Sequence, residues 1–483
     1  MSLPDYQTSR VVAVDLDGTL LKADLSWELL MAYLRARPWR LFCVLGWVSA
    51  GGLVRLKSNL AERVLIEGEH LPWNDEVIDW CEQHAQKGGR VVLATASPLK
   101  AAQSITGHFK FITEVLGSDE VINLKAQAKA DALTFRFGHE GFDYIGNSSA
   151  DLPVWRAAQN AFFVGTESVR NGFQHRLEAK RLIPITGGSD RLEPVLLAAL
   201  RPHQWLKNLL ILVPLLGAHR WNDPACWWLI GPALLALCCV ASATYILNDL
   251  TDLESDRRHP RKKRRAFASG QLGIPTGLLF IGVLLFTGGA LALVSGLTAL
   301  AAVSGYVILS IAYSLGLKKI AIVDVVWLSC MYTYRVLIGG AITGVVVSSW
   351  LLAYTISLFL GLAFLKRYVE LGSSNAGESV QVPGRGYDGS DASRIRAGGI
   401  AAGLVSTVVL GFYLRSPASI VLYADPRWLW VVVLAMAGWL ARIWIMAGHK
   451  KVDDDPVWFA AKDPVTWLIS AVCIAALMLA GPL

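Results

Sequence analysis

TYILNDLTDLESDRRHP, residues 244–260, begins inside an apolar run and ends among charges. Asp249, Asp252 and Asp256 stand at i, i+3 and i+7, a spacing that puts three carboxylates on one helical face where the run meets water. Asn248 and Asp252, at i and i+4, flank that face. Carboxylates held side by side repel one another, and a divalent cation resolves the repulsion; Mg²⁺ bridging to a substrate diphosphate suits such hard oxygen ligands. Acids at the rim of a membrane span are disfavoured unless they serve a role.

Outward from this stretch the apolar runs continue to the end of the chain. Nine candidate spans lie near 208–218, 226–247, 277–296, 298–317, 322–344, 348–365, 398–414, 428–448 and 465–483, the first of them short. The whole chain agrees: of 483 residues 54% are hydrophobic and 17% charged, with 18 Trp and a mean hydropathy of +0.43. Soluble proteins carry about 25% charged residues, so a wholly soluble, disordered or fibrous chain is excluded. Placing Arg201 in the cytosol leaves 17 Lys/Arg in the inner loops against 3 in the outer ones. That asymmetry predicts a multi-pass protein of a bacterial inner (plasma) membrane, N-terminus cytoplasmic and C-terminus periplasmic. The formal charge of +7 then reflects topology rather than nucleic-acid binding, and the 261–265 run reads as a topology and headgroup anchor, with a catalytic patch as the alternative. The start of the chain lacks a signal-peptide pattern, as expected for a cytosolic N-terminus.

The first 170 residues have a different grammar. Short β-rich runs (VVAVDLD, RVVLATAS, FDYIGN, NAFFVG) alternate with helical stretches, the pattern of an α/β domain with a parallel sheet and its site at the carboxyl ends of the strands. Residues 171–197 read as a linker and 198–483 as the membrane domain. One apolar stretch, residues 41–54, is flanked by Arg35, Arg37, Arg40, Arg55 and Lys57. At 14 residues it is too short to cross about 30 Å of hydrocarbon, so it is expected as a helical cap lying in a membrane interface, with a buried cap helix as the alternative. The seven cysteines show no metal spacing and read as small apolar residues.

The first strand ends in Asp15-Leu16-Asp17-Gly18-Thr19-Leu20. A carboxylate just past a strand can attack a phosphoryl group, a second two residues on shares its face, and Gly18 permits the turn that exposes both. With VVLATAS, NLKAQAKADAL and GNSSAD, this resembles the haloacid dehalogenase (HAD) superfamily of Mg²⁺-dependent phosphatases across residues 9–166. The resemblance implies that Asp15 is the nucleophile, Asp17 the general acid and then base, and Thr95, or Ser97, the hydroxyl that meets the phosphoryl group. It implies Lys129, or Lys125, as the charge-neutralising lysine. Asp15, Asp17, Asn147 and Asp151 become the expected metal ligands. Asn147 stands where the family carries an acid, which lowers the charge offered to the ion. A degenerate fold kept as a scaffold is the alternative.

NDxxDxxxD together with nine spans resembles the UbiA superfamily of intramembrane prenyltransferases over residues 201–483, with Asp249 and Asp252 as central acids and Asp249, Asp252 and Asp256 as Mg²⁺ ligands. The second acidic motif of ordinary members is replaced by FLKRYVEL, residues 364–371. RPHQWLKN (201–208), the DRRHP run, YSLGLKKIAIVD (313–324), KRYVEL and RGYD (385–388) resemble the polyprenyl-phosphate phosphoribosyltransferases. That resemblance implies transfer of phosphoribose from phosphoribosyl pyrophosphate (PRPP) to a polyprenyl, usually decaprenyl, phosphate. Asn248 and Asp256 would then serve the pyrophosphate, with Arg257 beside them and Lys207, Lys366 and Arg367 as phosphate clamps. Asp324 and Arg335, about 16 Å apart on one helical face, either touch substrate or pair with neighbouring helices. The combined expectation is a bifunctional transferase and 5-phosphatase that works among membrane lipids, binds no nucleic acid and can form a homo-oligomer. The alternative is an aromatic prenyltransferase with an accessory or regulatory HAD domain.

Overall fold

The computed structural model describes residues 10–119, 122–177, 180–185, 192–373, 386–452 and 455–481. It divides into two compact units, Met1–Ala199 with Asp249–Leu279, and Leu200–Asn248 with Phe280–Leu483. One division falls between Ala199 and Leu200 and another between Asn248 and Asp249, inside the acidic motif. The acidic segment belongs to the first unit because its arginines and glutamates find their ionic partners there.

In the first unit β1 (Val11–Val14), β2 (Arg90–Pro98), β3 (Ile112–Ser118), β4 (Asp143–Gly146), β5 (Ala161–Phe163) and β6 (Leu182–Pro184) form a parallel sheet in the order β3-β2-β1-β4-β5-β6. Val12, Ala13 and Val14 are buried, as befits an unbroken apolar strand of a sheet covered on both faces, and all of β4 is buried as well, Asp143 included. The connections change direction between β1 and β4, and a crevice opens at the carboxyl ends of those two strands. Residues 171–197 are not simply a linker. Helix Glu167–Leu177 runs into them and β6 completes the sheet edge beside β5, because Leu182 and Ile183 are apolar enough to be buried there.

Above the crevice lies a helical cap. Helix Leu25–Ala36 starts at Asp24, whose side chain accepts from the Ser26 and Trp27 amides, a cap that stabilises a helix by about 1 kcal/mol. Helix Leu41–Arg63 follows and is broken at Gly51 and Gly52, the latter at φ 65°. Its apolar residues divide. Val44, Leu56 and Leu60 are buried, whereas Leu41, Phe42, Leu45, Val48 and Leu53 are exposed, so the buried-cap alternative does not describe this helix.

The second unit is helical. Seven helices of the described residues are long and apolar enough to cross a membrane: Pro224–Thr251, Ile274–Val294, Leu297–Leu315, Val323–Thr343, Ser349–Gly372, Gly389–Leu414 and Pro426–Gly448. An eighth arises if Pro456–Lys462 and Pro464–Ala480, which meet at 82°, count as one span. Nine were expected. The missing one is the first, where Pro202–Leu212 forms a 3₁₀ helix and Val213–Gly217 a single α-helical stretch. Pro202 and Pro214 remove backbone donors, and what remains is shorter than the roughly 20 residues a span needs.

Candidate active sites

At the end of β1 the Asp15 amide donates to the Ile145 carbonyl of β4 at 2.9 Å, which ties the first aspartate to the crevice. Gly18, at φ 76°, turns the chain back; a Cβ there would lie 2.1 Å from Asn147 Nδ2, so only glycine lets the two loops meet. Asp17 accepts from the Leu25 amide at 2.7 Å through Oδ1, and through Oδ2 from Ser97 Oγ at 2.7 Å and Thr95 Oγ1 at 3.4 Å. Both hydroxyl candidates therefore reach the same carboxylate, Ser97 more closely.

Lys129 Nζ donates to Asp15 Oδ1 at 2.7 Å and to the Tyr144 hydroxyl at 3.0 Å, and lies 3.8 Å from Asp151 Oδ1. Lys125, by contrast, is exposed. Tyr144 donates to Asp151 Oδ1 at 2.7 Å, while Asp151 Oδ2 accepts from the Asn147 and Ser148 amides and from Ser148 Oγ. Burial pushes the Asp15 carboxyl up to about 7 against the pull of Lys129, with Asp151 and Asp17 adding repulsion. Burial likewise raises Asp17, reinforced by Asp24. Burial disfavours the Lys129 ammonium, but Asp15 and Asp151 outweigh it and hold its pKa above the ordinary value.

Hard oxygen donors thus surround the crevice. Asp151 has both oxygens committed to hydrogen bonds, so it acts as a brace rather than an open ligand. Asn147 Oδ1 is buried and has no hydrogen-bond partner, an orphaned acceptor of the kind a cation satisfies. No group of three or more His, Cys, Asp or Glu side chains is drawn together in metal-binding geometry among the described residues. Mg²⁺ nevertheless needs only one or two carboxylates, with water and substrate oxygens completing its shell, and Asp15, Asp17 and Asn147 fit that demand.

The acidic segment departs from the expected single helical face. Helix Pro224–Thr251 ends before Asp252, and Leu253–Arg258 forms a separate short helix. The acids that converge are Asp249 and Asp256, both buried, which accept from Arg265 Nη1 at 3.1 and 2.7 Å. Asp252 is partly buried. Burial raises the Asp256 carboxyl, offset by Arg265 and increased by Asp249. Two carboxylates that meet at one cationic nitrogen can hold a divalent ion once that arginine moves aside. Arg257, expected beside substrate, instead gives both terminal nitrogens to Glu28 and its Nε to the Ala268 carbonyl.

The second unit holds its own buried ions. Arg335 donates to Asn208 Oδ1 at 3.0 Å, the Met331 carbonyl at 2.9 Å and the Tyr306 hydroxyl at 2.5 Å, and stacks over the rings of Tyr306 and Tyr332. Lys207 Nζ lies 5.8 Å from the centroid of that same Tyr332 ring and pairs with Asp455. Lys366 is within electrostatic reach of Lys207 and Asp455. Arg367 is a different matter: 1% exposed, it pairs with Asp324 and Glu370 and donates to Tyr313 at 3.0 Å. As placed, Arg367 and Asp324 neutralise each other rather than face an open site. Lys318 donates to Asn248 at 2.9 Å. Arg385 lies outside the described residues.

Sequence reasoning missed Tyr144, Asp455, Lys318 and Arg265 as members of these clusters. Lys318 and Arg265 stand beside other cations in the sequence, and only the YSLGLKK motif marks the former.

Long apolar helices carrying buried cations, with acids where one of them ends, define a multi-pass membrane protein. The chain belongs to the UbiA prenyltransferase family, whose profile matches residues 210–467. It is 34% identical over 470 residues to the uncharacterised protein y4nM of Sinorhizobium fredii, covering 96% of this chain and 90% of that one. That match spans both halves. It is 34% identical over 286 residues to the nodulation protein NoeC of Azorhizobium caulinodans, covering 58% of this chain and 90% of that protein. A decaprenyl-phosphate phosphoribosyltransferase of Corynebacterium glutamicum is 34% identical over 182 residues, which span 36% of this chain and 54% of the relative.

Proposed function

We propose that the membrane half, residues 198–483, transfers 5-phosphoribose from PRPP to a polyprenyl phosphate, and that a HAD-type phosphatase in residues 1–170 then removes the 5-phosphate. The observation that carries the first step is a group of buried cations: Lys207 and Lys366 beside the Asp455 carboxylate, and Arg335 over the Tyr332 ring that Lys207 also approaches, a set suited to phosphate groups. A lipid phosphate oxygen attacks C1 of the ribose, the bond from C1 to pyrophosphate breaks, and pyrophosphate leaves. Asp249, Asp252 and Asp256 would hold Mg²⁺, which would supply positive charge to a pyrophosphate leaving group, and Asn248 would orient that group.

In the second step Asp15 attacks phosphorus. Asp17, whose raised pKa suits a general acid, gives its proton to the departing ribose oxygen and then takes one from the water that cleaves the aspartyl-phosphate. Ser97 or Thr95 donates to the transferred group, and Lys129 restrains Asp15. Mg²⁺, when bound by Asp15, Asp17 and Asn147, adds charge stabilisation at the phosphoryl oxygens. The protein sits in the bacterial inner membrane with the phosphatase site in the cytosol.

A second reading keeps the transferase and makes the N-terminal domain a binding module; Asn147 in place of an acid favours it. Incubation of the full chain with labelled PRPP and polyprenyl phosphate separates the readings. Release of pyrophosphate followed by phosphate is the expected result. Pyrophosphate alone leaves a binding module, and consumption of a prenyl diphosphate with an aromatic acceptor, PRPP untouched, overturns the proposal.

A further inference from the structure

Helix Leu41–Arg63 has two apolar sides. On one, Val44, Leu56 and Leu60 are buried and Trp47 packs on Tyr33 with ring centroids 5.2 Å apart. On the other, Leu41, Phe42, Leu45, Val48 and Leu53 point outward, Phe42 77% and Leu53 68% exposed, with Trp39 exposed just before them. An exposed apolar strip of this kind marks an interaction site.

Charge identifies the partner. Between Glu28 and Glu62 the sequence contains no acid, while Arg37, Arg40, Arg55 and Lys57 bracket the uncharged residues 41–54; Arg35 pairs with Glu254. We propose that this face of the helix is a foot that seats in the headgroup layer of an anionic membrane surface, its apolar side chains among the upper acyl carbons and its flanking cations on lipid phosphates. Fourteen residues rise about 21 Å as a helix, short of a bilayer core, and the break at Gly51 and Gly52 shortens the rigid part further, so the foot lies in the plane. A second copy of the chain fits worse, since a two-fold contact would set two acid-free cationic rims against each other. The foot joins helix Leu25–Ala36, whose first amide binds Asp17, so it holds that crevice at the level where lipid-borne phosphates lie. This last consequence rests on the proposed phosphatase; the foot itself does not.

Cys43 sits on the exposed face and is a free thiol. A nitroxide on Cys43, with the other six cysteines replaced by alanine, is read in nanodiscs holding one copy of the full chain. With anionic lipid the label should collide more with oxygen than with a water-soluble nickel chelate, and shift toward the aqueous pattern in zwitterionic discs. An aqueous pattern in both overturns the foot. In discs loaded with two copies, spin–spin broadening with exclusion of both reagents overturns it in favour of self-association. The unsubstituted protein gives an independent reading: a charged maleimide, located by peptide mass spectrometry, should modify Cys43 more slowly in anionic than in zwitterionic discs, and equal rates refute the proposal.

Discussion

Arg257 and Glu28, 229 positions apart in sequence, form a two-pronged ion pair at 2.7 and 2.9 Å, both side chains less than one-tenth exposed. The pair fastens the acidic segment to the first turn of the helix whose opening amide binds Asp17. Arg35 with Glu254 and Arg258 with Glu67 add exposed pairs, individually worth little.

Removing Glu28 should therefore loosen the acidic segment. Glu28→Ala leaves a buried guanidinium unpaired, a change that costs about 3–5 kcal/mol. Hydrogen exchange of residues 252–268 should accelerate, whereas the double replacement Glu28→Leu with Arg257→Met should restore much of the protection. Equal exchange in wild type and Glu28→Ala would show that the pair holds nothing.

Asp15→Asn should abolish phosphate release yet leave pyrophosphate release from PRPP intact, so that a phosphorylated product accumulates. Both ions can be followed in one reaction mixture. Phosphate release that survives the substitution removes Asp15 from the role of nucleophile.

Asn147→Asp should lower the Mg²⁺ concentration required for phosphate release by roughly tenfold, because an anionic oxygen replaces the neutral orphaned one. A titration of activity against Mg²⁺ measures this directly, and an unchanged midpoint places Asn147 outside the ion's reach.

In the acidic segment, Asp249→Ala or Asp256→Ala should reduce pyrophosphate release on the order of 10³-fold, since each removes several kcal/mol of charge stabilisation. Arg265→Met tests the arginine that bridges them: if it only neutralises the two acids, the variant should keep transfer and bind Mg²⁺ at lower concentration.

Lys366→Ala and Arg367→Ala should separate. Lys366→Ala should raise the KM for PRPP or lipid phosphate with the fold intact. Arg367→Ala removes the guanidinium paired with the fully buried Asp324, at a cost of about 3–5 kcal/mol, and should lower the thermal midpoint before it affects KM. Equal thermal midpoints for the two variants would count against this division.

Local chemistry was legible in the sequence. The Val-rich run before Asp15 specifies a buried parallel strand, and Gly18 specifies the turn, because pleat and left-handed φ are properties of a few adjacent residues. Long apolar helices likewise follow from composition. The NDxxDxxxD spacing marked where the acids lie.

Pairing was not legible, since an ion pair depends on what the fold brings within about 4 Å and not on spacing along the chain. Only the tertiary structure decided that Arg257 answers Glu28, that Arg367 answers Asp324, and that Lys129 rather than Lys125 reaches Asp15. It also broke the acidic helix before Asp252 and brought Asp249 and Asp256 together on Arg265, a convergence that a straight helix cannot supply. A buried charge must find its counter-charge wherever the packed chain offers one, and that choice is made in space.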